Sequence, residues 1–186
     1  MRRRGVLAAM GVASTGGLAG CGGGAPTADG ESGESDGEDG DGDEETDIEW
    51  PAGTYADYET TTVVVESPEG EELGSVTAAI ADDEEKRPLG LSDAEALPED
   101  GGMLFAYSEP RDSLTFIMPE MDFGIDIVYV DAERTITRIH NAPEPAPNED
   151  GSEQRYPGSG QYVLEVPYEW TDRRDVEVGD TLAFEL

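Results

Sequence analysis

The sequence predicts an α+β domain that is mainly β: a compact, barrel-like sheet, antiparallel or mixed, with one or two short helices. Three observations predict it. β-branched and aromatic residues gather in short runs bounded by Gly, Pro, Asp and Asn. Helical patterning is confined to two brief segments. The runs follow one another too closely for the alternating strand and helix pattern of a parallel α/β sheet.

Residues 61–66 and 74–80 read as strands, and Pro68-Glu69-Gly70 between them is turn chemistry, so a first hairpin is expected. Residues 82–91 begin with acids and carry Lys86 and Arg87 later, as a short helix does, with Pro88 expected to end it. Strands follow at 103–107, 113–118, 125–130 and 135–139, the last two joined by the turn Asp131-Ala132-Glu133-Arg134. Residues 141–160, with Pro143, Pro145 and Pro147 alternating, favour an extended polyproline stretch over a packed element. Residues 162–166 alternate as a strand, 168–174 read as a short helical turn, and 181–184 close the chain.

This domain is expected to occupy residues 50–186, and what precedes it is an address and a tether. Arg2, Arg3 and Arg4 lead into a Gly/Ala-rich apolar run of about fifteen residues, below the ~20 that a spanning helix requires. The run ends in Leu18-Ala19-Gly20-Cys21, the pattern of a lipoprotein signal over residues 1–20, with Cys21 as the lipid-attachment thiol. Arg3-Arg4-x-Val6-Leu7 resembles a twin-arginine export signal, although Arg2 stands where Ser or Thr is usual. The expected location is the external face of the cytoplasmic membrane, with the membrane as partner through the lipid on Cys21. A noncleaved anchor would lead to the same place.

Residues 21–49 hold twelve acids and no base, so they cannot bury enough apolar surface to offset ordering entropy. They read as a disordered acidic linker. Calcium capture by Asp41, Asp43 and Glu45 is the sharper alternative, and a solvated spacer the simpler one.

Cys21 is the single cysteine, which excludes an intramolecular disulfide and, once lipidated, any thiol chemistry. Residues 50–186 carry 32 acids and eight bases, a net charge of -24. That excess speaks against nucleic acid as a partner, since phosphate neutralisation needs clustered Lys and Arg. It resembles the charge of haloarchaeal proteins, whose self-repulsion molar salt screens to a Debye length of ~3 Å.

Gly90-Leu91, Leu97-Pro98, Gly102-Met103-Leu104-Phe105, Met118, the run from Ile125 through Asp131, Tyr162-Val163-Leu164-Glu165-Val166-Pro167 and Val178-Gly179-Asp180 occur in the order and spacing of one family. Over roughly residues 60–186 the chain resembles the domain of unknown function 192. The resemblance implies no reaction. Where members commonly carry an aromatic, Met, a basic residue and Asn, this chain has Ile117, Met118, Pro119 and Glu120, which removes a cation and an amide from that strand end.

Candidate chemistry centres on few residues. Asp126 stands among Phe123, Ile125, Ile127 and Val128, where an unpaired carboxylate is costly, so it is expected to pair with Arg87 or Arg111 or to accept amides of the 120–124 turn. Glu165 shares a strand face with Val163, opposite Tyr162, Leu164 and Val166, and an outward orientation is its simplest reading. His140 is the single histidine, expected at a strand end, and it excludes multi-histidine metal sites. Joined with Asp126, Glu120 or Asp122 it would offer a divalent-ion site; alone it reads as a hydrogen-bonding loop-edge residue. Met103, Met118 and Met121 with Phe116 and Phe123 either fill the core or line an apolar pocket. Tyr156-Pro157-Gly158-Ser159-Gly160 permits close backbone approach to a ligand but lacks the context of a phosphate loop.

With no nucleophile-and-base pair, phosphate loop or metal box, no cofactor is expected. The leading expectation is a noncatalytic ligand- or partner-binding module at the envelope, its ligand-site candidates being Asp126, His140, Glu120 and Arg87. The alternative is a hydrolytic or metal-assisted enzyme using Asp126 and His140 in a cleft under the Pro-rich loop.

Overall fold

The computed structural model describes residues 48–186, so the leader, Cys21 and the acidic residues Asp41, Asp43 and Glu45 lie outside the described residues. The domain is mainly β, as its patterning predicts. Its strands are β1 (Thr60–Glu66), β2 (Glu72–Ala81), β3 (Gly101–Phe116), β4 (Ile125–Val130), β5 (Ile136–Ala142), β6 (Tyr156–Pro167) and β7 (Thr181–Ala183), with one helical turn, α1 (Lys86–Leu89). Short 3-10 turns occupy Gly53–Tyr55 and Asp172–Arg174.

All seven strands form one mixed sheet in the order β5-β4-β6-β3-β2-β1-β7. Every pairing is antiparallel except that of β2 with β3. The sheet curls into a half-barrel, and its two end strands meet through the Thr135–Thr181 bridge and the bond from the Ile136 amide to the Asp180 carbonyl, 2.8 Å.

The expected first hairpin is present, Val63 opposite Val76, with the Gly70 amide closing the turn onto the Ser67 carbonyl. Residues 82–91 contain only the single turn α1. Asp83 Oδ1 accepts the amides of Glu85 and Lys86 at 2.9 and 2.7 Å, which starts it. Pro88 lies inside this turn and does not end it, because an amide in a first turn has no intrahelical acceptor to lose. Gly90, at φ 53°, ends it.

Two sequence expectations are corrected here. Residues 103–107 and 113–118 are not separate strands; β3 runs unbroken to Phe116 and pairs with β6 along its length, with register shifts on either side of Arg111. Ser108-Glu109-Pro110 has turn composition, but at an exposed bulge Pro110 forfeits no ladder bond. The polyproline stretch is also shorter than expected, since β5 extends through Ala142 and β6 begins at Tyr156. Gly158 and Gly160 belong to β6, where a Cβ would lie 2.5 Å from the Tyr129 ring and 2.3 Å from the Val130 carbonyl oxygen, respectively. These glycines serve strand packing, not a ligand.

Both faces of the sheet centre are covered. Val63, Val65, Val76, Leu104, Val128, Val130, Leu164 and Val166 pack on one face with Trp170, Leu182 and Phe184. Met103, Phe105, Ile125, Ile127, Tyr129 and Val163 pack on the other, beneath Tyr55, Leu91, Met118 and Met121 from the connecting segments. All six residues of β4 are therefore buried.

Candidate functional site

The residues named from sequence do not converge. Asp126 is fully buried, and its carboxylate closes the turn after β6. Oδ1 accepts the Glu169 amide at 2.9 Å, while Oδ2 accepts the Thr171 amide at 2.9 Å and the Thr171 hydroxyl at 2.6 Å. Burial pushes this carboxyl above its ordinary value and the three donors pull it back. Backbone amides do hold it, but from Glu169 and Thr171 instead of the 120–124 turn, and neither Arg87 nor Arg111 takes part. Both arginines instead flank the Tyr107 ring, at 5.0 and 5.5 Å, and Arg87 Nη1 donates to the Ala106 carbonyl at 2.8 Å.

His140 lies within β5 and not at its end, because pairing with β4 continues to Ala142 opposite Ile125. Its Nε2 is 2.9 Å from the Pro157 carbonyl oxygen, and its ring packs against Tyr129 and Tyr156. Because His140 pairs with Ile127, it shares that residue's face of the sheet, and Asp126 lies on the other. The sheet thus separates the two members of the expected enzyme pair. Glu120 and Asp122 are exposed, and no group of three or more His, Cys, Asp or Glu side chains among the described residues is placed to hold a metal ion.

The polar group that the fold isolates is Glu165. Its registered neighbours are Met103 on β3 and Ile127 on β4, so it sits in the middle of an apolar sheet face. Its exposure is 4%, and its Oε2 has no hydrogen-bond partner among the described residues. Burial alone pushes its pKa from 4.5 up to about 8, leaving most of the carboxyl protonated at neutral pH. The outward orientation read from sequence is wrong. An alternating strand exposes its polar face only where nothing covers that face, and here connecting segments do. Its pairing with Val163 on one face was the available signal.

Glu165 lines a cavity of about 350 Å³. The crossover from β2 to β3 contributes one wall, from Arg87 to Ser92, and the far half of β3 contributes Leu114 and Phe116. Met118 and Met121 close it from the segment before β4, with Phe105 and Ile125 from the sheet. Of the five residues weighed as an apolar pocket, Phe116, Met118 and Met121 line the cavity, and Met103 is buried on the same face. Of the ligand-site candidates Asp126, His140, Glu120 and Arg87, only Arg87 reaches this space. Ile117, Met118 and Pro119 also line it.

Residues 64–184 match the sequence model of the family DUF192, described as uncharacterized ACR. Among solved structures, a candidate transcription regulator from Sinorhizobium meliloti 1021 is similar, at 26% identity and a TM-score of 0.61, covering 68% of this chain and 95% of that one. A protein of unknown function from Novosphingobium aromaticivorans DSM 12444 shares the fold at 23% identity and a TM-score of 0.58, covering 67% and 84%. No curated protein matches the chain.

Proposed function

Because the chain belongs to the DUF192 family, whose description names no reaction, we propose from its own site that it is a noncatalytic ligand-binding module whose seat is the Glu165 cavity. The carrying observation is an apolar space of about 350 Å³ that contains one buried carboxyl lacking a partner at Oε2. Ligand sites combine such walls with a few placed polar groups. Asp126 is spent on its turn, and His140, on the opposite face of the sheet from Asp126, is bonded to the Pro157 carbonyl.

The module acts at the external face of the cytoplasmic membrane, held by lipid on Cys21 and spaced from it by the acidic residues 22–49. Support for this comes from the Leu18-Ala19-Gly20-Cys21 ending of an apolar run too short to span. The acid excess suits a haloarchaeal, high-salt setting. The regulator designation of the Sinorhizobium protein is not carried over, since a net charge of -24 on residues 50–186 opposes binding to nucleic acid.

Two experiments test this reading. Cys21→Ser should release the protein from the membrane or block its maturation, and unchanged retention with normal processing would remove the anchor. The full-length protein, recovered from its own membranes in molar KCl, should carry a small molecule detectable by mass spectrometry. Leu114→Trp, which fills the cavity, should lose it; equal retention by both proteins would place the ligand elsewhere.

A further inference from the structure

The cavity's polar groups define what it recognises. Glu165 has no cation beside it: the described ion pairs of the domain join Lys86 to Asp82 and Asp83, and Arg173 and Arg174 to Glu99. A carboxyl buried among Met103, Ile127 and the apolar walls without a compensating charge holds its proton, and it then presents an O–H donor. Arg87, on the crossover wall, presents only N–H donors. A ligand bearing an ammonium group would meet a guanidinium in the same cavity and would have to displace the Glu165 proton. A ligand bearing a carboxylate would bring a charge into a strongly acidic domain, toward a guanidinium already donating to the Ala106 carbonyl and set over the Tyr107 ring.

We propose, building on the cavity as the ligand seat, that it selects compact, neutral, apolar molecules headed by a carbonyl oxygen, which accepts the hydrogen bond of the protonated Glu165.

The titratable and charged groups around Glu165 support a simple pH response. Tyr55 from the segment before β1, Tyr107 on β3 and Tyr129 on β4 feel its charge, and Arg87 lines the same cavity. Burial pushes Tyr55 and Tyr129 up to about 12 and raises Tyr107, so all three stay neutral while Glu165 titrates near 8. Above that pH the donor becomes an acceptor, and a carbonyl loses its partner.

Four probes with one apolar body test the inference on the full-length protein in molar KCl: toluene, phenylacetamide, phenylacetate and phenethylamine, titrated by ligand-observed NMR. Phenylacetamide should bind at least tenfold more tightly than phenethylamine at about pH 6.5, and its affinity should fall toward tenfold per pH unit once pH exceeds about 8. Glu165→Gln, which keeps a donor, should retain phenylacetamide within about threefold at pH 6.5 and abolish the alkaline loss. Glu165→Leu should weaken it by about tenfold. If toluene binds as tightly as phenylacetamide, or if phenethylamine or phenylacetate binds more tightly, the cavity stands as a seat but the carbonyl inference fails. If neither toluene nor phenylacetamide binds, the seat itself is refuted and the inference with it.

Discussion

Replacing Glu165 by Gln should abolish the pH dependence that this one side chain imposes on stability. In the unfolded chain the carboxyl releases its proton near 4.5, whereas in the native domain it holds the proton up to about 8. Between those values the native state binds more protons than the unfolded state, so stability falls as pH rises. The Glu165 contribution is fully present below 4.5 and is lost as pH rises through the native value. From about pH 5.5 to pH 8 the loss integrates to about 3 kcal/mol. Gln cannot ionise. It brings an amide with an unpaired N–H, a pH-independent cost of about 1 to 3 kcal/mol, and removes the pH-dependent term. Urea denaturation of both proteins in molar KCl across this range should show the variant gaining about 3 kcal/mol relative to the parent as pH rises. Groups that do not feel the Glu165 charge, Asp126 among them, cancel in that difference. A difference independent of pH would mean that Glu165 is hydrated or ion-paired, and its role as a neutral O–H donor in the cavity would fall.

Asp126→Asn should destabilise the domain by about 1.5 to 3 kcal/mol in chemical denaturation, because an amide nitrogen would face donors of Glu169 or Thr171 that now meet carboxylate oxygens; a stabilised variant would contradict its structural role. Gly158→Ala should cost about 1 to 3 kcal/mol, since its Cβ would sit 2.5 Å from a Tyr129 ring tethered by its hydroxyl to the Tyr156 carbonyl, and an unchanged melting temperature would show that the ring can yield. Lowering KCl from molar to millimolar should lower the melting temperature, because a charge of -24 on residues 50–186 loses its screening, and a salt-independent melt would refute the self-repulsion argument.

The sheet was legible from the sequence where alternation and turn chemistry agree. Val63 and Val65 fall on one face, Pro68-Glu69-Gly70 makes the turn, and the hairpin of β1 and β2 follows. It was less legible where composition and context disagree. Ser108-Glu109-Pro110 has the residues of a turn, yet the pairing of Thr115 and Phe116 with β6 carries β3 straight through. Pairing between distant segments decided that, and it leaves little local signal. Asp126 was recognisable as a buried carboxylate needing donors, since its apolar neighbours demanded them. Its actual donors lie more than forty residues away at Glu169 and Thr171, beyond any reading of local spacing. Glu165 failed for a further reason: a polar residue in an alternating strand reports its face but not whether that face is covered.

What covers that face follows from the topology. β2 and β3 are the one parallel pair in the sheet, and a parallel pair cannot be joined by a tight turn. The chain must leave the end of β2 and return to the beginning of β3, which takes residues 82–100 across the sheet. That crossover carries Leu91 onto the apolar face and sets Arg87 to Ser92 against Leu114 and Phe116 in the far half of β3. β3 stays paired with β6 through its register shifts, and the space between crossover and strand is a cavity with Glu165 among its lining. Without a crossover at this point that face would lose Leu91 and one wall of the cavity, and Glu165 would lie closer to water. The unusual chemistry of this carboxyl thus follows in part from strand direction, and the crossover's single helical turn, with Pro88 inside it and Gly90 at its end, forms the wall that faces it.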